Sequence, residues 1–346
     1  MRRGYKIVCN TAAGRHRYME LLIPYVLSCD IVDRYDIWVN TLNKVDLRFF
    51  ELLAQKYEKI NLIYIDNNEF EGVVSIFSFY KYCTEKNTIY VKLDDDLIWL
   101  EPDAIKKMVD FRIDNPQYFI VSPLVINNCA STFLLQNGGK IKLKKFLPAA
   151  MKWNSGWCNA ESAYNLLLWF YKHVKNNTYS HFYMGQKPSA MLRFSINMIV
   201  WFGDTFQTFN GSWNYRKIDD EEYFCTVKPT ELGICNCINT DAIVTHFAFS
   251  GQRKKLDKTN ILQLYTELLL QNPNEQIKEI YKEIENIIAK AYDTNIPITI
   301  PQYIDVRPIK KKKLKTFFGD IKIPHTDFNI RRLWNTLNEG SINLEQ

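Results

Sequence analysis

The chain has 346 residues, 47% hydrophobic, 24% charged and 14% aromatic, with a formal net charge of +6. This balance excludes a disordered or fibrous chain and leaves room for one large domain or two ordinary ones. The charge falls well short of a dedicated nucleic-acid binder, and no apolar run reaches the roughly 18 residues expected of a membrane-crossing helix.

In chain order, YKIVCN (5–10) reads as a buried strand and TAAGRHR as the polar, glycine-containing turn after it. Residues 17–29 have apolar positions at helical spacing, with Pro24 expected to kink or break the helix. A strand at 35–40, an amphipathic helix at 44–57 and a strand at 60–66 follow. Then come a helix at 75–85 and a strand, TIYVKL, at 88–93. Such alternation predicts a parallel sheet covered by helices, with ligands bound beyond the carboxyl ends of the strands. Asn10 to Arg15, Asp66 to Asn68 and Asp94 to Asp96 fall at such ends and should meet in space.

Beyond this, a helix is expected at 102–115 with Pro102 in its first turn, and a strand at 118–126. A helix at 161–174, strands at 191–203 and 241–249, and helices at 261–271 and 277–292 complete the pattern. Residues 293–346 read as an appendage with a short helical patch, IRRLWNTL. The eight cysteines form no CxxC pair, and Cys235 and Cys237 lie too close together for a zinc ribbon, so all are expected as reduced thiols. MRRGYKIVCN runs directly into a strand, so no signal peptide and a cytoplasmic location are expected. The basic runs KIKLKK (140–145) and RPIKKKKLK (307–315) read as solvated faces, the latter open to peripheral membrane contact.

The stretch VKLDDDLIWLEP (91–102) places Asp94, Asp95 and Asp96 between two apolar runs. Adjacent carboxylates repel and need water or a cation. At a strand end Asp94 and Asp96 would share a side, where Mn²⁺ or Mg²⁺ could neutralise them and bridge phosphates. The turn CNTAAGRHRY would let a base and ribose approach the backbone at Thr11, Ala12 and Gly14, with Arg15 offering a bidentate fork. KIDDEEYF (217–224) could equally be an acidic helix start. His246, in the apolar AIVTHFAF, could be an ordinary core histidine, but SGQRKK follows it with a glycine turn and positive charge at Arg253 and Lys254.

KLDDDLIWLEPDAI resembles the DxD stretch of the GT-A glycosyltransferases, which use nucleotide-sugar donors. The resemblance implies a Rossmann-like, mostly parallel α/β sheet with a C-terminal helical and irregular appendage. A catalytic domain at 1–258 would divide into a nucleotide-binding half (about 1–126) and an acceptor half (about 127–258), followed by helices and a basic tail at 259–346. It also implies metal ligands at Asp94, Asp96 and His246, and donor contacts from Thr11, Ala12, Gly14, Arg15, Asp66, Asp94, Asp95, Arg253 and Lys254. KIDDEEYF resembles the family's xED motif, which makes Asp220 the general base of an inverting transfer, with Glu221 the competitor one residue on. The implied partners are a UDP- or GDP-linked sugar and a glycan or other hydroxyl acceptor, with no nucleic acid. The family's glycine-rich acceptor loop is matched only loosely, by residues 193–204 or by FNGSW (209–213). Alternatives are a retaining family-8-like enzyme, a metal-dependent nucleotidyltransferase, and a non-catalytic sugar- or nucleic-acid-binding module.

Overall fold

Alternating apolar segments assemble into one central sheet. The computed structural model describes residues 1–65, 79–149, 155–189, 192–214 and 217–299. Its strands are β1 (Lys6–Ala13), β2 (Arg34–Val39), β3 (Ile60–Ile63), β4 (Thr88–Leu93), β5 (Leu97–Leu100), β6 (Val121–Ile126), β7 (Gln186–Ser189), β8 (Met198–Phe202) and β9 (Asn236–His246). They lie in the order β3-β2-β1-β4-β8-β6-β9-β5, with β7 paired to β9. β1 is parallel to β2 and β4, β2 to β3, and β6 to β9. β8 is antiparallel to β4 and β6, and β9 to β5 and β7. The protein therefore has the expected α/β architecture, a mostly parallel central sheet flanked by helices.

The chain winds outward from β1 through β2 to β3 and returns to β4 on the other side of β1. That reversal opens a crevice at the carboxyl ends of β1 and β4, the usual ligand site of such sheets. Every residue of β4 is buried, as expected for a strand covered on both faces. Helix Lys44–Lys56 starts where the Asn43 side chain accepts from the backbone N–H of Val45 at 2.9 Å and of Asp46 at 3.3 Å. Helix Glu275–Ala291 turns Ile277, Ile280, Tyr281, Ile284 and Ile287 into the core cluster that holds Leu21, Tyr25 and Phe50. The helices beyond 259 thus share the core built by the first 258 residues, and packing shows no break there.

Several elements differ from expectation. β1 extends through Thr11–Ala13, so TAA is strand and only Gly14 and Arg15 make the turn. Helix His16–Leu27 continues through Pro24, held by a face buried from Tyr18 to Leu27 that outweighs one missing backbone bond. β5 and β7 have no counterpart in the sequence reading, because four-residue strands carry too little period to register. Of the helix expected at 75–85, the described part is a 3₁₀ turn, Phe79–Tyr82. SGQRKKL is a helix (Ser250–Leu256), not a turn; a Cβ on Gly251 would sit 3.4 Å from Cys158 Cα, so this glycine serves close packing. The appendage from residue 300 onward, with RPIKKKKLK and IRRLWNTL, lies outside the described residues. None of the eight cysteines, all of them among the described residues, forms a disulfide. No described helix is long and apolar enough to cross a membrane.

Gly211, in the FNGSW segment, has φ +56° and would place a Cβ 2.2 Å from the Tyr80 carbonyl oxygen. Gly211→Ala should therefore cost about 2 kcal/mol or more, from strain and from backbone displacement at Tyr80. Denaturant melts of the two proteins check this, with an unchanged midpoint as the refuting result.

Candidate functional site

The three aspartates sit in the turn between β4 and β5, each with its own set of partners and Arg15 shared by Asp95 and Asp96. Asp94 Oδ1 accepts from Lys92 Nζ at 2.6 Å and its Oδ2 from Asn197 Nδ2 at 3.0 Å. Asp95 takes the backbone N–H of Gly14 at 3.1 Å and Arg15 Nε at 3.0 Å, and Arg15 closes the pair with a second nitrogen. Asp95 thereby fastens the β1 turn to the end of β4. Asp96 receives Arg253 at 2.8 Å, Arg15 at 3.4 Å and the His246 imidazole at 3.3 Å. Burial alone would raise the Asp96 carboxyl, but His246, Arg15 and Arg253 together hold it well below the usual carboxylate range. A turn gathers the three side chains, not the strand alternation expected for Asp94 and Asp96.

β5 explains the meeting with His246. Leu97 pairs with His246 across the antiparallel β5–β9 ladder, and the Phe247 N–H donates to the Asp96 carbonyl at 2.9 Å. A residue distant in sequence is thereby locked beside Asp96. His246 Nε2 faces Asp96, and Nδ1 faces the Asn127 carbonyl at 3.4 Å, which orients the ring. The next helix, Ser250–Leu256, brings Arg253 back over the aspartate.

Asp219 caps the start of the acidic segment by accepting from the Glu222 N–H at 2.9 Å. The helix-start reading therefore holds for Asp219, whereas Asp220 turns inward and is 8% exposed. Tyr80 Oη donates to Asp220 at 3.1 Å, and the Glu221 N–H donates to its other oxygen at 2.9 Å. Burial pushes Asp220 up to about 6; Lys92 opposes this and the Asp94 charge adds to it. Burial likewise pushes Glu221 up to about 7, although Arg193 donates to it at 2.8 Å. Arg193 also grips Asp219 at 2.8 Å and Glu222 at 2.7 Å, which restrains Glu221.

These groups line one cavity of about 360 Å³. Ala12, Gly14, Arg15, Asp94, Asp95, Asp96, Asp220, Glu221, His246 and Arg253 all lie on its wall. Two expected donor contacts do not. The Thr11 side chain is buried against Tyr35 Oη at 2.8 Å, because alternation along the extended β1 turns it away. Lys254 is exposed on its helix and absent from the wall, since neighbouring helical residues point in different directions. Asp66 lies outside the described residues.

The sequence reading passed over Lys92, Asn197, Asn40, Phe249 and Ser250, which share the wall, and Arg193 behind it. Lys92 left a signal: a lone cation in a buried strand, two residues before Asp94 and on the same face. It is 3% exposed and also donates to the Ile196 carbonyl at 2.5 Å. Asn197 and Asn40 left none, because polar loop residues occur throughout the chain.

Asp94, Asp96 and His246 each offer one ligand atom, all within 4.8 Å of one another. Two ligands on one ion with bonds near 2.1 Å lie roughly 3 to 4.3 Å apart. The three atoms can thus close on a divalent cation with a small side-chain shift. Two carboxylate oxygens and an imidazole suit a hard or borderline ion.

No protein-family model matches the chain, and no curated protein matches it by sequence. Solved structures resemble it distantly. S. aureus TarS residues 1–349 match at 9% identity and TM-score 0.41, over 83% of this chain and 71% of that one. The CMP:2-keto-3-deoxy-manno-octonic acid synthetase complexed with CTP matches at 12% identity and TM-score 0.37, over 76% and 98%. A mycobacterial protein matches at 10% identity and TM-score 0.37, over 78% and 74%. Likenesses this remote carry nothing about the chemistry of the cavity.

Proposed function

We propose that the protein is a metal-dependent glycosyltransferase that moves a sugar from a UDP- or GDP-linked donor to a hydroxyl acceptor with inversion. One observation carries this reading. A single cavity unites the Asp94–Asp96–His246 set, the guanidinium groups of Arg15 and Arg253, and the buried carboxylate of Asp220. The resemblance of KLDDDLIWLEPDAI to the GT-A DxD stretch supports it, as does the order of these groups along the chain. On this reading residues 1–126 hold the nucleotide and 127–258 the acceptor.

Asp94, Asp96 and His246 would hold Mn²⁺ or Mg²⁺, which supplies electrostatic stabilisation of the departing diphosphate. Arg15, paired mainly with Asp95, and Arg253, on Asp96, would offer guanidinium donors to the phosphate oxygens. Lys92 Nζ, 2.6 Å from Asp94 Oδ1, holds that side chain in place. Asp220 takes the proton of the acceptor hydroxyl as that oxygen bonds to the anomeric carbon. The carbon–oxygen bond to the diphosphate breaks, and the nucleoside diphosphate leaves with its electron pair. Asp220 suits this role better than Glu221, which Arg193 holds.

The deciding experiment incubates the protein with UDP- and GDP-sugars and Mn²⁺ and identifies the products. Free nucleoside diphosphate is expected; pyrophosphate would overturn the reading in favour of nucleotidyl transfer. NMR of the product's anomeric proton tests inversion, and the donor's own configuration would show retention.

A base must be unprotonated, so turnover should fall as pH drops through about 6, the value to which Asp220 is raised. A limb near 7 that disappears in Glu221→Gln would reassign the base to Glu221. His246→Ala should weaken Mn²⁺-dependent UDP or GDP binding by roughly 10- to 100-fold and leave metal-free binding unchanged. Calorimetry with and without Mn²⁺ measures this coupling, and equal coupling in wild type and variant would remove His246 from the ligand set.

A further inference from the structure

A second surface lies away from the cavity, in the segment between helix Cys129–Asn137 and residue 149. Along Lys140–Lys144 the side chains alternate. Lys140, Lys142 and Lys144 are exposed, whereas Ile141 is buried and Leu143 packs on the core. Lys145 is also exposed, and beside it Phe146 is 62% exposed, its ring edge-on to Phe133 at 5.6 Å. Leu147 anchors the segment, with its N–H on Gln136 Oε1 at 2.8 Å and its carbonyl receiving Gln136 Nε2 at 2.9 Å. The chain carries no Asp or Glu between Asp114 and Glu161, so the segment brings no acidic residue of its own to the lysines.

A solvated face needs lysines but no phenylalanine. An exposed aromatic ring costs free energy in water and has no role in contacts driven by charge alone. An exposed ring next in sequence to two exposed lysines matches a bilayer surface, where the ring enters the headgroup–acyl boundary and the ammonium groups meet lipid phosphates. We infer that Lys140, Lys144, Lys145 and Phe146 form a docking surface for an anionic phospholipid membrane. Helix Cys129–Asn137 carries this patch near its C-terminus. At its start Asn128 holds Asn197 at 3.1 Å, and Asn197 in turn holds Asp94. Nine helical residues span about 13 Å, so docking would bring the cavity close to the headgroups. Bilayer binding does not depend on what the cavity turns over, and either can fail alone.

Co-sedimentation of the full chain with phosphatidylcholine vesicles, with and without phosphatidylglycerol, tests this. Binding is expected only to the mixed vesicles. Lys144→Gln with Lys145→Gln should weaken it roughly 25-fold, at about fivefold per lysine. Phe146→Ser should weaken it roughly tenfold through lost apolar burial. Phe146→Trp should bind at least as well as wild type, which guards against a folding defect in Phe146→Ser. If both loss variants bind like wild type, the patch is not the docking surface. If only the lysine variant loses binding, the surface recognises polyanions in general, such as nucleic acid, and the membrane inference falls.

Discussion

Asp220→Asn should lower turnover by roughly 10²- to 10⁴-fold, the usual contribution of a general base, while UDP-sugar binding stays near wild type. Asparagine keeps the size of the side chain; its one amide oxygen can still accept from the Glu221 N–H, which donates to Asp220 at 2.9 Å, and its NH2 can then donate to the Tyr80 hydroxyl, now 3.1 Å from the other carboxylate oxygen. It cannot take a proton. The buried negative charge beside Lys92 is lost, but so is the desolvation cost that raised this carboxyl to about 6. Folding stability should therefore change little, or rise. Single-turnover kinetics with calorimetric donor titration separates the two effects. A variant that loses donor binding in step with turnover would place Asp220 on the donor instead.

Asp96→Asn should abolish metal-supported activity, a loss of at least roughly 10³-fold, because it removes one of two carboxylates from the ligand set and leaves the leaving group poorly stabilised. The same change disturbs the ligand-free protein in a way that Asp220→Asn does not. Asp96 is 2% exposed and neutralises Arg253 and part of Arg15. Taking one partner from a buried ion cluster leaves the others under-compensated. The amide oxygen still accepts from Arg253, and the guanidinium reaches the open cavity, so the melting temperature should drop by only a few degrees. Full activity of this variant in metal-free buffer would sink both the metal site and the transfer chemistry built on it.

Much of the site was legible because chemistry and burial conflict in this chain. Three carboxylates between apolar runs, a histidine in an apolar strand and an acidic run after a polar turn are locally costly, and such conflicts mark sites. What failed was direction. Thr11 and Lys254 stand beside true cavity residues, but strand alternation and helical rotation point them elsewhere. The expected turn at Gly251 failed because glycine also serves where a helix packs closely, here against Cys158.

The sequence by itself determined the alternation of strand and helix from β1 to β3, the end of β4 at the aspartates and the class of residues that line the cavity. Those properties are local: period, composition and the cost of burying charge act over a few positions. Only the tertiary structure decided which charges neutralise which. The β5–β9 ladder brings His246 to Asp96, the β1 turn delivers Arg15 to Asp95, and burial raises the Asp220 carboxyl against the opposing Lys92 and Tyr80. Each pairing joins residues about 80 to 150 positions apart. Coulombic and hydrogen-bonding energies depend on distances of a few ångströms, which strand order and register fix and residue spacing does not.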